Sequence, residues 1–144
     1  MGVVMDSGAE HLDEIDAFFA DFARASENED WARYGDMFLE RFLNLDPASA
    51  GPVARDDLIA FLPRRKAVFE RAGATGTRLA DLHVERLDDI HVLARTTWDV
   101  VFEHEHAPVQ LRSTFVLRHE NGWRIALYLN HRSLLEILGL TTPA

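Results

Sequence analysis

From Ile90 to Leu129 the chain alternates apolar and polar residues with a period of two, and no other feature restricts its fold as strongly. Ile90, Val92, Ala94, Thr96, Trp98, Val100 and Phe102 share one face of a long predicted strand, with His91, Arg95, Thr97, Asp99 and Glu103 on the other. The next segment repeats the pattern, with Val109, Leu111, Ser113, Phe115 and Leu117 opposite Gln110, Arg112 and Arg118. Asn121-Gly122 marks a tight hairpin, after which Trp123, Ile125, Leu127 and Leu129 give a last strand. A weaker strand, Leu79 to Leu87, precedes the series. Successive hairpins make an antiparallel sheet with one apolar face, and that face needs a cover.

The cover must come from the N-terminal half. Leu12, Ile15, Phe18, Phe19 and Phe22 recur at helical spacing, with Asp6 and Ser7 available as caps. After the polar break Asn28-Glu29-Asp30, the stripe Trp31, Tyr34, Met37 and Phe38 predicts a second helix. Phe42 to Asp46 reads as a short extended segment ended by Pro47, and Ala48 to Pro52 as a loop. A third helix is expected from Ala54 to Ala72, closed by Gly73, with Leu58, Phe61, Leu62, Val68 and Phe69 inward. Pro63 in its middle should kink it or start a new helix. Ser133-Leu134-Leu135-Glu136 is a capping box opening a short apolar helix that ends at Gly139. The fold class is therefore α+β, three N-terminal helices packed on an antiparallel sheet, with residues 1–10 a flexible N-terminus and 11–140 a single domain.

Composition narrows the partners. A net charge of −9 and no basic run longer than Arg64-Arg65-Lys66 argue against nucleic acid. The absence of cysteine removes disulfides, thiolate metal sites and cysteine nucleophiles. No signal peptide and no apolar run of about 18 residues is present, so a cytoplasmic protein without a membrane partner is expected. His104 and His106 fall on one side of a hairpin tip without a third ligand, and no metal or other cofactor is expected.

The order of elements, ending in the strand Gly122-Trp123-Arg124-Ile125, resembles the nuclear transport factor 2-like superfamily over roughly Leu12 to His131. This superfamily includes ketosteroid isomerases, SnoaL-like polyketide cyclases, scytalone dehydratases and limonene epoxide hydrolases. The resemblance implies a curved sheet forming a cone-shaped α+β barrel around an apolar pocket. Phe38-Leu39-Glu40-Arg41-Phe42-Leu43-Asn44-Leu45-Asp46-Pro47 is similar to the ketosteroid isomerases, whose general base is an Asp before such a proline. That similarity implies the role for Asp46, puts Ser113 where the oxyanion-binding acid would lie, and offers Phe19 or Phe22 in place of the family's tyrosine donor.

Strand alternation adds its own candidates: Thr96, Ser113 and His131 are the polar residues on the otherwise apolar inner face. Asp46, Ser113 and His131 are the candidate catalytic residues, and Trp31, Tyr34, Thr96, Trp98, Phe115 and Leu127 the candidate pocket lining. Two functions follow. One is a cofactor-independent isomerase, cyclase or dehydratase acting on a small apolar molecule with Asp46 as general base; the other is a non-catalytic ligand-binding or accessory module. In either case Leu93, Val101, Val116, Ala126 and Tyr128, expected on the outer sheet face, suggest a homodimer.

Overall fold

The computed structural model describes residues 2–133, with side chains from residue 13 onward. The short helix expected after Ser133 lies outside the described residues. Helix α1 (Gly2–Glu27) is followed by α2 (Trp31–Asp36), whose N-terminus is capped by the Asp30 carboxylate accepting from the Arg33 amide at 3.2 Å. Phe38, expected at the end of this second helix, instead opens strand β1 (Phe38–Asp46). Two contacts hold the chain in that conformation: Arg55 donates to the Phe38 carbonyl from Nε at 3.2 Å and from a terminal nitrogen at 2.6 Å, and the Ile125 amide donates to the Met37 carbonyl at 2.8 Å.

The expected loop after Pro47 is strand β2 (Ser49–Ala54), paired antiparallel with β1. Its Pro52 is tolerated because β2 is the edge strand, where a missing donor leaves no partner unsatisfied. Helix α3 (Arg55–Arg71) runs unbroken through Pro63, and Gly73, at φ +80°, follows its Ala72 cap. Phe61, expected inward, is 52% exposed, while Leu62 is buried.

Strands β3 (Ala74–Arg86), β4 (His91–Phe102), β5 (Gln110–His119) and β6 (Trp123–Asn130) follow as hairpins. Asn121 and Gly122 both take positive φ in the β5–β6 turn, as their sequence demands. The sheet runs β2-β1-β6-β5-β4-β3, antiparallel throughout except for the parallel β1–β6 pair. That parallel pairing brings the N-terminal β1–β2 hairpin beside the C-terminal strand, so the sheet extends to six strands and curves without closing.

The inner faces of β4 and β5 follow the sequence alternation: Val92, Ala94, Thr96, Trp98, Val100, Leu111, Ser113, Phe115 and Leu117 are all buried. Helix α1 lays its phenylalanines on them, with the Phe19 ring 5.0 Å from Phe115 and Phe22 5.7 Å from Phe115, both near edge-to-face. Tyr34, Phe38 and Phe42 extend this aromatic layer toward β6.

Candidate functional site

A β-bulge decides what the site contains. In the β5–β6 pair, Leu117 lies opposite Ile125 but Val116 lies opposite Leu127, so Ala126 is an extra residue and the phase of β6 changes there. Ile125 points into the core; beyond the bulge Tyr128 pairs with the inward Phe115, and Asn130 with the inward Ser113. Simple alternation would have put Leu127, Leu129 and His131 inside.

Both tyrosines of the chain thereby reach one place. The Tyr34 ring stacks on Phe22 at 4.6 Å, and the Tyr128 ring stacks on Phe115 at 4.7 Å. Their hydroxyls accept from the two terminal nitrogens of Arg65, at 3.2 Å from Tyr34 and 3.4 Å from Tyr128. Arg65 comes from α3, half-buried, with its guanidinium turned inward and 5.7 Å from the Phe69 ring centre. Among the described residues it forms no ion pair with a carboxylate.

Burial pushes the Tyr34 hydroxyl far above the ordinary tyrosine range, more than the adjacent Arg65 pulls it down, so it remains a neutral phenol. Burial disfavours the Arg65 charge, but Tyr128 and Tyr34 outweigh it, and its pKa stays above the ordinary arginine value. The Tyr34 phenol and the Arg65 guanidinium therefore keep fixed protonation states at working pH.

Two adjoining cavities meet at Arg65. The outer, of about 710 Å3, is lined by residues of α1, α2, α3 and the β3–β4 hairpin, including Trp31, Leu62, Phe69, Gly73 and Val101. Its rim carries Glu27, Glu70 and Glu103 alongside Lys66 and Arg78. The inner, of about 30 Å3, is enclosed by Phe22, Tyr34, Trp98, Leu111, Ser113, Tyr128 and Asn130. Ala23, Ser26, Arg65 and Thr77 line both. Ser113 donates to the Asn130 side-chain oxygen at 2.7 Å.

The residues expected from sequence divide clearly. Trp31, Tyr34, Trp98 and Ser113 line the cavities. Thr96 is buried but stands behind Trp98, accepting from its indole at 2.8 Å and donating to the Ser113 carbonyl at 2.9 Å. Phe115 is fully buried packing beneath Tyr128. Leu127 and His131 lie on the outer side because of the bulge, the His131 ring being 2.7 Å from the Thr114 hydroxyl.

Asp46 stands at the β1–β2 turn, where its Oδ1 accepts from the Ala48 amide at 2.7 Å, the Ser49 amide at 2.8 Å and the Ser49 hydroxyl at 3.2 Å. It lines neither cavity. Its Oδ1 is engaged in closing the hairpin. His104 and His106 are exposed, His106 stacking on Phe102 at 3.7 Å, and among the described residues no cluster of three His, Asp or Glu could hold a metal.

Arg65 and Asn130 went unread in the sequence. Asn130 becomes inward only through the bulge. Arg65 had a signal: it falls three residues after Leu62 and four before Phe69, on the apolar stripe of α3, where a charged residue needs a reason.

The family model described as NTF2-like protein (DUF6841) matches residues 10–133. No curated protein matches the sequence. Among solved structures, an NTF2-like protein with a cystatin-like fold from Novosphingobium aromaticivorans superimposes with a TM-score of 0.71 at 14% identity, covering 98% of this chain and 95% of its own. A cystatin-like protein of unknown function from Nostoc punctiforme gives 0.66 at 14% identity, covering 84% and 90%. The beta subunit of benzoate 1,2-dioxygenase from Burkholderia mallei gives 0.65 at 18% identity, covering 85% and 90%. At such identities these likenesses concern the fold.

Proposed function

The chain belongs to the NTF2-like family, and on that premise we propose that it is a binding protein for a small, largely apolar molecule held between its helices and sheet. The observation that carries this reading is the convergence of Arg65, Tyr34, Tyr128 and Asn130 on the inner cavity, beside the apolar walls Phe22, Trp98 and Leu111, where it adjoins the outer cavity lined by Trp31 and Phe69. A few polar groups meeting in an apolar cavity are the usual makeup of a small-molecule site. Binding is favoured over proton-transfer catalysis because Asp46 is engaged in its turn and the described lining of the inner cavity contains no carboxylate or imidazole.

The reading keeps the cytoplasmic homodimer expected from the sequence. The charge of −9 speaks against nucleic acid as a partner, and none of the described helices is long and apolar enough to cross a membrane. The test is thermal unfolding against a panel of ring-containing apolar compounds and, separately, nucleotides. Burial of apolar area at roughly 25 cal/mol per Å2 should raise the melting temperature with ligand concentration for the former class. Shifts with nucleotides alone would overturn the reading.

A further inference from the structure

We propose that Arg65, Tyr34 and Tyr128 form a carboxylate receptor, and that the ligand is a monocarboxylic acid with an apolar, ring-containing body. The assignment rests on the ligand-binding reading of the same cavity and specifies its ligand class. Three observations lead to it.

The first is the donor count. A guanidinium has five N–H groups and no acceptor, and the described residues provide hydroxyls for two of its nitrogens but no carboxylate, in a chain with 24 acidic residues. No side-chain nitrogen or oxygen among the described residues is fully buried without a partner, so Arg65 Nε, which donates to no described group, is accessible, and Arg65 lines both cavities.

The second is the sign of everything else at that point. Tyr34 and Tyr128 each accept from Arg65 and so keep their own protons to donate. Asn130 accepts from Ser113 through its oxygen, which leaves its NH2 group to donate. Guanidinium, two phenols and an amide together offer donors, and the complement of a set of donors around a cation is an anionic acceptor.

The third is size and rim charge. A water needs roughly 10–15 Å3 of such space, so the inner cavity of about 30 Å3 takes a group of carboxylate size, with the body left in the outer cavity of about 710 Å3. The rim's cations Lys66 and Arg78 are paired with Glu29 and Asp99, so Glu27, Glu70 and Glu103 leave the outer rim net negative and disfavour a second negative charge at the far end of the ligand. A monoanion is thus preferred to a dicarboxylate.

The experiment is calorimetric titration of the full chain with 3-phenylpropionate, 4-phenylbutyrate and cinnamate, each beside its uncharged primary amide. A charge-assisted contact predicts that the acids bind about ten- to a hundredfold tighter than their amides. In Arg65→Gln the acid-over-amide preference should vanish, and Arg65→Lys should restore part of it. Equal binding of acid and amide by the wild type leaves the pocket standing but overturns the carboxylate assignment, and needs no variant to be seen. Retention of the preference in a folded Arg65→Gln protein overturns it as well. If neither acids nor amides bind, the ligand-binding reading falls and this assignment with it.

Discussion

Tyr34 and Tyr128, drawn from α2 and β6, turn their hydroxyls to opposite terminal nitrogens of a single guanidinium, that of Arg65. Each ring is fixed by stacking on a phenylalanine, Phe22 for Tyr34 and Phe115 for Tyr128, so the hydroxyls are held by the aromatic core and the arginine is held by them. Removing either hydroxyl leaves a charge short of an acceptor. Tyr34→Phe, at the fully buried ring with the shorter contact, should cost about 1–3 kcal/mol, and Tyr128→Phe, with its long contact, less. Urea unfolding with an unchanged m-value is the measurement.

The same burial sets an alkaline limit. Because the folded Tyr34 hydroxyl holds its proton far above the ordinary tyrosine pKa of about 10, the unfolded chain loses that proton first as pH rises. Stability should be flat below pH 10 from this source and fall above it, through the window up to the raised folded value. Tyr34→Phe should remove part of that decline. An identical pH dependence in both proteins between pH 9 and 11 would show that Tyr34 does not set it.

The sheet was readable because β4 and β5 are half-buried strands whose side chains obey the period of two without interruption. The site was only partly readable because its composition turns on one inserted residue, Ala126, which reverses the facing of everything after it. No local pattern in Ile125-Ala126-Leu127-Tyr128 announces a bulge, since every residue there is apolar or aromatic and suits either face. Asp46-Pro47 was ambiguous for another reason: an aspartate before a proline serves a turn as well as it serves catalysis, and the turn contacts to the Ala48 and Ser49 amides appear only in three dimensions. The strand at Ser49–Ala54 was hidden by Gly51 and Pro52, residues that an edge position accepts.

Asp46→Ala should therefore act on stability and leave binding alone. It removes one oxygen that accepts three hydrogen bonds at an exposed turn, a loss of about 0.5–1.5 kcal/mol. Affinity for ring-containing ligands should match the wild type in calorimetry. A large loss of binding in a folded protein would return Asp46 to the site.

Helices α2 and α3 touch at Gly35, where an added Cβ would lie 2.5 Å from Ile59 Cδ1 and 2.7 Å from Cγ1. Both atoms belong to one side chain that must then shift, so Gly35→Ala should destabilise by about 1–3 kcal/mol despite its better helix propensity. Ile59→Val deletes Cδ1 and should recover part of that loss in the double variant, a coupling that additive effects would exclude.

The bulge also reshapes the outer face and with it the expected homodimer. Tyr128, expected there, is buried, and Leu127 takes its side of the sheet. Leu43 of β1 pairs with Leu127 of β6, Leu127 with Val116 of β5, and Val116 with Leu93 of β4, so four apolar side chains form one row across four adjacent strands. Leu43 in that row is 37% exposed and Val101 of β4 is 42% exposed. A row of this kind suits a two-fold contact, because the same stripe on a second copy can cross it and exclude water from both. Light scattering at tens of micromolar should give the dimer mass for the wild type and the monomer mass for Leu127→Arg, whose charge would be buried unpaired in the contact. The substituted side chain points away from the cavity, so the variant should still bind ligand as one folded chain. A monomer mass for the wild type would rule the dimer out, and a dimer that survives Leu127→Arg would move the contact to another face.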